Sequence, residues 1–200
     1  MPRAARKKSP ECIYHVMSRS ISEINLFNSE EDKTYYLKLL KKYKDKYYCK
    51  IYAYVLMDTH VHIYINPCGF DISLFMRCLN NAYVWYFNKK YKRHGHLYQG
   101  RFASSIVDND TYSLTLTAYI HNNPKKIPEY AGREELYRYS SYAIYTGHRR
   151  DTDEIVDTDF ILSHFGSDKK VAQQRYKKFA ESMREKDIVK EVNDNIMKSY

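Results

Sequence analysis

The sequence predicts an α+β fold with one main core, and three observations lead to that prediction. The chain has 200 residues, which is long enough to bury a sizeable core. Segments rich in β-branched and aromatic residues, which favour strands, alternate with segments whose apolar residues recur every three or four positions, which favour helices. No internal repeat or low-complexity linker interrupts the alternation. We therefore expect a sheet and helices that share one core.

The first half of the chain predicts strands and helices in alternation. Residues 12–17 have the composition of a first strand, and Ser29, followed by three acidic residues, opens a first helix. The apolar run over residues 51–65 is rich in β-branched and aromatic residues, which favours strand structure. An amphipathic helix then begins at Asp71 and ends in a basic cluster ahead of Gly95.

The second half adds a short strand and a further helix. Residues 102–107 favour a strand, and the Asp-Asn-Asp cluster at residues 108–110 offers an N-cap for a helix over residues 111–122. A proline disfavours helical geometry at the residue before it. Pro124 therefore places Asn123 at the end of this helix.

The C-terminal quarter predicts a small helical extension. After Asp151 an acidic stretch precedes a short helix at residues 160–162, and Asp168 caps a second helix. The apolar stripe predicted for this last helix consists of Val171, Arg175 or Tyr176, Phe179 and Met183. We expect residues 1–150 to form the main domain, with a basic N-terminal arm, and residues 151–200 to form a helical extension packed on it.

The distribution of charge indicates a polyanionic partner. The chain carries 33 Lys and Arg against 24 Asp and Glu, a net charge of +9. Residues 1–150 hold 24 basic and 13 acidic side chains, whereas residues 151–200 hold 9 basic and 11 acidic ones. Such an excess over the first three quarters is typical of proteins that meet nucleic acid, although basic proteins without such a partner are common. The 22 tyrosines add aromatic faces that stack on unpaired bases.

Basic residues in three places are candidate contacts for DNA phosphates. They are Arg3 and Arg6 in the N-terminal arm, Lys89, Lys90, Lys92 and Arg93 at the end of the second helix, and Arg101. A flexible, solvated terminus explains the basic arm equally well. Cations in the last turn of a helix also complement its dipole. Both explanations stay open for each cluster.

The cysteines and the hydropathy pattern exclude several classes of protein. The four cysteines stand far apart without a C-x-x-C pair, so neither a zinc site nor a disulfide scaffold is indicated. Free thiols fit a reducing compartment. No apolar segment follows the basic start, and no stretch approaches the roughly twenty apolar residues of a membrane span. We therefore expect a cytoplasmic protein that does not bind membranes.

The most informative motif is His60-Val61-His62, which lies inside the apolar run. Side chains alternate between the two faces of a strand, so His60 and His62 point the same way. A histidine pair in a strand is often packed or hydrogen-bonded rather than metal-binding, and the motif alone therefore does not assign a site. It presents two imidazoles on one rigid element.

A second group of candidate residues lies on the helix predicted over residues 111–122. Tyr119 and Asn123 are four residues apart, so they share a helix face if the last turn persists. Two histidines supply half a coordination shell or less, and Mg²⁺ or Mn²⁺ prefers oxygens for the rest, such as the Asn123 amide, water and a phosphate. Such a metal polarises a phosphodiester while Tyr119 attacks phosphorus. Because a phenol has a pKa of about 10, the site must assist its ionisation.

Several motifs together resemble one known family. They are Tyr14-His15-Val16 with Arg19, Ala53-Tyr54-Val55-Leu56-Met57 before His60-Val61-His62, Gly95-His96-Leu97-Tyr98-Gln99-Gly100-Arg101-Phe102, Tyr119-Ile120 with Asn123-Pro124, and Tyr139-Ser140-Ser141-Tyr142. The chain resembles the HUH single-tyrosine transposases of bacterial insertion sequences, most closely the branch of REP-associated tyrosine transposases. It departs from the usual family pattern at Thr59, at Tyr139 and at Lys125-Lys126.

The resemblance implies both a fold and an activity. The implied fold is a ferredoxin-like antiparallel β-sheet flanked by helices. The implied activity is metal-dependent cleavage and rejoining of single-stranded DNA, at sites beside hairpins, through a 5′-phosphotyrosine. Tyr119 is then the nucleophile, and His60, His62 and Asn123 are the ligands of Mg²⁺ or Mn²⁺. Some relatives act as monomers and others as dimers that exchange the tyrosine helix, so a homodimer stays open.

Two other functions fit the same residues. One is a domesticated nucleic-acid-binding protein that keeps the HUH scaffold without a covalent step. The other is a hydrolytic nuclease that uses metal-activated water and forms no adduct with DNA. Removal of the Tyr119 hydroxyl or of divalent metal abolishes strand transfer but leaves simple binding intact.

Overall fold

A four-stranded antiparallel sheet forms the centre of the fold in the computed structural model, which describes residues 12–184. The strands, in the spatial order β2-β3-β1-β4, are β1 (Ile13–Arg19), β2 (Lys50–Met57), β3 (His60–Asn66) and β4 (Ala103–Val107). This is the ferredoxin-like arrangement, and the expected α+β fold class is confirmed. The predicted N-terminal arm with Arg3 and Arg6, and residues 185–200 of the predicted extension, lie outside the described residues.

Two helices cover one face of this sheet, and both begin where the sequence predicts. The first helix, α1 (Glu30–Lys46), is capped by Ser29, and the second, α2 (Ile72–Lys90), by the side chain of Asp71. No helix within residues 12–184 is long and apolar enough to cross a membrane.

The face that α2 covers is identified by a contact with the sheet. Asn80 of α2 donates a hydrogen bond to Ser18 of β1 at 3.3 Å, and Ser18 lies opposite Val61 of β3. Directly paired residues of neighbouring strands point to the same face. Because side chains alternate along β3, His60 and His62 point away from α2.

The helix α3 (Asp110–Asn122) covers the histidine face of the sheet. Its N-cap is Asn109, whose side chain accepts from the Tyr112 backbone N–H. The Tyr64 hydroxyl and Ser113 Oγ lie 2.7 Å apart, which ties β3 to this helix. Both faces of the sheet are therefore buried, and the histidines lie between β3 and α3 rather than on an open surface.

The remaining helices are α4 (Tyr142–Tyr145), α5 (Asp159–Leu162) and α6 (Lys169–Ser182). As predicted, the Asp168 side chain caps α6. The Asn122 side chain donates to the Ala180 carbonyl at 2.8 Å, which joins α3 to α6. Asp157 donates its backbone N–H to Ile51 at the edge of β2. Residues 151–184 thus contact both the sheet and α3.

The apolar stripe predicted for α6 is wrong at Val171, whereas Tyr176, Phe179 and Met183 pack against the core as predicted. Val171 is 40% exposed, whereas Ala172, Tyr176 and Ala180 are buried. Small alanines allow α6 to approach α3 closely, because the distance between packed helices depends on the side chains at their contact. The choice between Arg175 and Tyr176 is resolved in favour of Tyr176, since Arg175 is exposed.

A buried hydrogen-bonded chain holds α3 between the sheet and α6. His121 Nδ1 lies 2.6 Å from the Tyr176 hydroxyl, and His121 Nε2 lies 2.7 Å from Ser141 Oγ. Ser141 Oγ in turn accepts from the backbone N–H of Tyr54 in β2 at 3.0 Å. This chain fixes α3 two residues beyond Tyr119.

Candidate active site

The two histidines of the motif stand side by side at the start of β3. They follow directly after the turn at Asp58 and Thr59 that connects β2 to β3. The ring centroids of His60 and His62 are 5.1 Å apart, with nearly perpendicular planes. His62 is buried, whereas His60 lies nearer the surface. The pair therefore lies on the face of β3 that α3 covers.

Each histidine has its Nδ1 atom engaged by the protein. His60 Nδ1 lies 3.0 Å from the Thr59 hydroxyl, and His62 Nδ1 lies 2.9 Å from His15 Nε2. These contacts leave the Nε2 atoms for a ligand. Thr59, which departs from the family pattern, thus still supplies a hydrogen-bond partner for His60.

His15 is a site residue that the sequence reasoning did not assign. It is fully buried on β1, and its ring stacks against that of His62 with centroids 5.1 Å apart. The available signal was a histidine inside a predicted strand, within the motif Tyr14-His15-Val16. What the sequence could not show is that β1 pairs with β3, which brings His15 beside His62.

All three imidazoles are held in their neutral form. Burial lowers the pKa of His15 to about 3. Burial, followed by the positive charges of Lys126 and Arg19, lowers the pKa of His60 to about 4. Burial also lowers the pKa of His62 well below its ordinary value. A neutral imidazole is the form that binds a metal.

Tyr119 of α3 faces the histidines. Its ring centroid lies 5.5 Å from that of His62 and 6.3 Å from that of His15, edge-on in both cases. The side chain is only 8% exposed. Burial raises the pKa of Tyr119, and the Asn123 amide opposes that shift. The phenol is therefore protonated at neutral pH, and its ionisation needs help from the site.

Asn123 caps the C-terminus of α3 and is the last of the candidate site residues, with His60, His62 and Tyr119. Its Nδ2 donates to the Tyr119 carbonyl at 2.9 Å, which orients the side chain. Its Oδ1 is buried and accepts no hydrogen bond from any residue within 12–184. The Asn123 amide also raises the pKa of the His60 imidazole, although burial lowers that pKa by more. Asn123 thus lies beside both His60 and Tyr119.

These donors fit a hard divalent cation. Two neutral imidazoles and an unsatisfied amide oxygen form a partial coordination shell, and Mg²⁺ or Mn²⁺ accepts water and phosphate oxygens for the remainder. Among residues 12–184 there is no group of three or more His, Cys, Asp or Glu side chains that could hold a metal ion. The amide oxygen is therefore needed for a third protein ligand.

His121 does not belong to this chemical group, although it lies between Tyr119 and Asn123 in sequence. Both of its ring nitrogens are engaged elsewhere, by Tyr176 and Ser141. Its helical position directs it toward α6 rather than toward β3. It therefore holds the helix in place and does not face the Tyr119 hydroxyl.

The predicted DNA contacts fall in different environments. Lys90 is held within the protein by ion pairs with Asp32 at 2.7 Å and Glu31 at 2.8 Å. Lys89, Lys92 and Arg101 are exposed. Arg93 is partly buried, with its guanidinium 5.8 Å from the Phe87 ring. Sequence reasoning missed two exposed cations beside the histidines, Arg19 and Lys126.

The fold and the histidine pair facing Tyr119 define a protein of the HUH class. The chain belongs to the IS200-like transposase family, whose model, described as "Transposase IS200 like", matches residues 8–123, more than half of the chain. The expected enzyme class, a transposase, is confirmed at the level of this family.

A solved structure of a REP-associated tyrosine transposase bound to a REP hairpin has a similar fold. The TM-score is 0.62 at 17% sequence identity, and the alignment covers 79% of this chain and 93% of that one. At this identity the likeness shows the fold. A sequence comparison with curated proteins gives no match.

Proposed function

We propose that the protein is a metal-dependent transposase that cleaves and rejoins single-stranded DNA through a 5′-phosphotyrosine at Tyr119. The observation that carries this proposal is the position of the Tyr119 ring against His62, at 5.5 Å, with the unsatisfied Asn123 Oδ1 on the same helix end.

The covalent step exchanges one ester for another. Tyr119 Oη attacks phosphorus, the bond between phosphorus and the 3′ oxygen breaks, and the 3′ oxygen leaves as a hydroxyl. The proton lost by the phenol balances the proton gained by the leaving group. Because the phosphotyrosyl bond keeps the energy of the broken ester, the hydroxyl of another strand reverses the step without a nucleotide cofactor.

His60 and His62, through Nε2, and Asn123, through Oδ1, are the proposed holders of Mg²⁺ or Mn²⁺. A bound divalent cation supplies charge stabilisation to the phosphate oxygens as the reaction proceeds. The protein contributes a fixed histidine pair and a buried phenol.

The proposed substrate is single-stranded DNA that carries a hairpin. The net charge of +9 and the exposed cations Arg19 and Lys126 beside the histidines support a polyanionic substrate. The structural relative bound to a REP hairpin supports the hairpin. Lys89, Lys92, Arg93 and Arg101 remain proposed DNA contacts, as do Arg3 and Arg6, whereas Lys90 is already paired with Asp32.

Incubation with Mn²⁺ and a labelled pool of hairpin oligonucleotides, followed by a denaturing gel, tests the proposal. We expect a covalent protein–DNA band from the native chain that disappears with EDTA, in Tyr119→Phe and in His60→Ala. Cleaved DNA without a covalent band would favour the hydrolytic nuclease. Retained binding on a native gel, with neither band nor cleavage for any substrate in the pool, would favour the binding protein.

A further inference from the structure

Trp85 lies on the surface of α2, away from the histidine face of the sheet. It is the only tryptophan of the chain and is 64% exposed. The Lys89 ammonium sits 4.9 Å from the centre of its ring. Burial of a large aromatic ring normally stabilises a protein. An exposed ring beneath a cation therefore indicates a surface that binds a ligand.

Trp85 belongs to a regular stripe along α2. Arg77, Asn81, Trp85 and Lys89 follow one another at intervals of four residues, and all four are exposed. Residues four apart share a helix face, so these side chains form one row about 18 Å long. The row holds two cations, an amide and an indole, and no acidic residue.

A groove runs beside this stripe. It has a volume of about 820 Å³ and lies between α2 and the segment of residues 95–102. Its walls combine cationic, amide and apolar side chains, namely Arg77, Arg101, Asn80, Asn81, Val84 and Leu97, with one carboxylate, that of Asp71, which caps α2. Asn80 Oδ1 is buried there and has no hydrogen-bond partner among the described residues. The groove thus offers cations for phosphates and the exposed Asn81 amide for a base edge.

The groove begins close to the candidate active site. Gln99 donates its backbone N–H to the carbonyl of Arg19 at 3.0 Å, and Arg19 is the register partner of His60. Arg101, which lines the groove, is two residues beyond Gln99. A DNA strand held at the histidine pair can therefore continue around the end of the β-sheet, past Arg101, and along α2.

We infer that the α2 stripe and its groove bind unpaired nucleotides of the same DNA strand, with Trp85 as the platform on which a base stacks. This inference rests on the proposed function for the identity of the ligand. Arg77 and Lys89 pair with phosphates on either side of the stacked base. Single-stranded DNA fits better than a protein partner, because a lone aromatic ring between cations provides little continuous apolar area.

Tryptophan fluorescence tests the inference directly, since Trp85 supplies the whole signal. The full chain is titrated, in EDTA, with a hairpin oligonucleotide that carries a single-stranded extension and with the same hairpin made blunt. We expect strong quenching by the extended hairpin and little by the blunt one. The absence of quenching at a concentration where the extended hairpin is bound overturns the inference.

Substitutions separate stacking from charge. Trp85→Ala should weaken binding of the extended hairpin about 5- to 150-fold, whereas Trp85→Phe keeps most of the affinity. Tyr48→Ala, which removes another exposed aromatic ring, is the matched control and should bind like the native chain. Arg77→Ala and Lys89→Ala should each reduce the slope of log affinity against log salt by about 0.7. Equal binding by Trp85→Ala and the native chain contradicts the inference.

Two further outcomes distinguish this surface from the reaction and from other partners. Tyr119→Phe should lose the covalent band and keep the quenching. A covalent band without quenching overturns only the inference that the α2 stripe binds DNA. Quenching without a covalent band in the native chain overturns only the proposed strand transfer. Trp85 emission could instead shift with protein concentration, without responding to DNA, while sedimentation shows a dimer. That result would overturn DNA binding by the α2 stripe and identify the surface as an interface between copies of the chain.

Discussion

His15 Nε2 and His62 Nδ1 lie 2.9 Å apart between neighbouring strands of the sheet, and both side chains are buried. When Nε2 of His62 binds a metal, its single proton must sit on Nδ1, and His15 Nε2 is the atom that accepts that hydrogen bond. In the proposed metal site, His15 would therefore orient the ligand His62 without touching the metal.

The change His15→Phe removes this acceptor at similar volume. We expect Mn²⁺ affinity to fall about 10- to 100-fold, because partners behind a metal ligand fix its orientation and raise its basicity. Mn²⁺ titration followed by electron paramagnetic resonance measures the affinity directly. His15→Gln, which keeps a hydrogen-bonding side chain, should bind Mn²⁺ more tightly than His15→Phe. Native affinity in His15→Phe would show that the contact is only packing.

Removal of the Asn123 amide should reduce the stabilisation that Mn²⁺ gives to the folded protein. A ligand that binds only the folded state raises the free energy of unfolding by an amount set by its concentration and dissociation constant. We therefore expect Mn²⁺ to raise the melting temperature of the native chain and to have a smaller effect on Asn123→Ala. Differential scanning calorimetry with Mn²⁺ and with EDTA provides the comparison. An equal rise in both proteins would exclude Asn123 as a ligand.

The hydrogen-bonded chain through His121 should be worth several kcal/mol of stability. His121→Phe removes the partner of the Tyr176 hydroxyl, and a buried hydroxyl that loses its partner costs about 1–3 kcal/mol, whereas Ser141 keeps its hydrogen bonds with the Tyr54 backbone. With the loss of the His121–Ser141 contact added, we expect urea unfolding to show a loss of about 2–4 kcal/mol. Tyr176→Phe removes one hydroxyl of the chain and should cost less. A smaller loss in His121→Phe than in Tyr176→Phe would disprove this role.

Acid should destabilise the protein well before its carboxylates titrate. Burial lowers the pKa of His15 and of His121 to about 3, while in the unfolded chain each histidine binds a proton at a pH of about 6.5. Below that pH the unfolded state binds more protons, so the free energy of unfolding falls by about 1.4 kcal/mol per pH unit for each buried histidine.

Urea unfolding at several pH values between 7 and 4 measures this slope. His121→Gln should give a shallower slope than the native chain, by the share of one histidine. A native slope in His121→Gln would mean that another group governs the acid sensitivity.

Local signals in the sequence predicted the elements, and contacts between distant segments were not predictable. Ser29, Asp71 and Asp168 cap helices as expected, because a cap depends on neighbouring residues alone. The role of His15 depends on the pairing of β1 with β3, and the exposure of Trp85 depends on which face of α2 meets the core. Neither follows from periodicity in one segment.

The same distinction explains the candidate site. Alternation along β3 was enough to place His60 and His62 on one face. A position four residues from Asn123 suggested that Tyr119 shares its helix face, but the distance between that helix and β3 depends on how the sheet and α6 hold α3.

The identity of the nucleophile is tested most directly by locating the attached nucleotide. Protein incubated with Mn²⁺ and a cleavable hairpin oligonucleotide is digested with protease, and mass spectrometry identifies the peptide that carries DNA. We predict one modified peptide, containing Tyr119, which is absent from Tyr119→Phe. It should persist in Tyr112→Phe, a variant at another buried tyrosine of α3 whose hydroxyl has no hydrogen-bond partner among residues 12–184. A DNA adduct on any other residue, or its survival in Tyr119→Phe, would contradict the assignment.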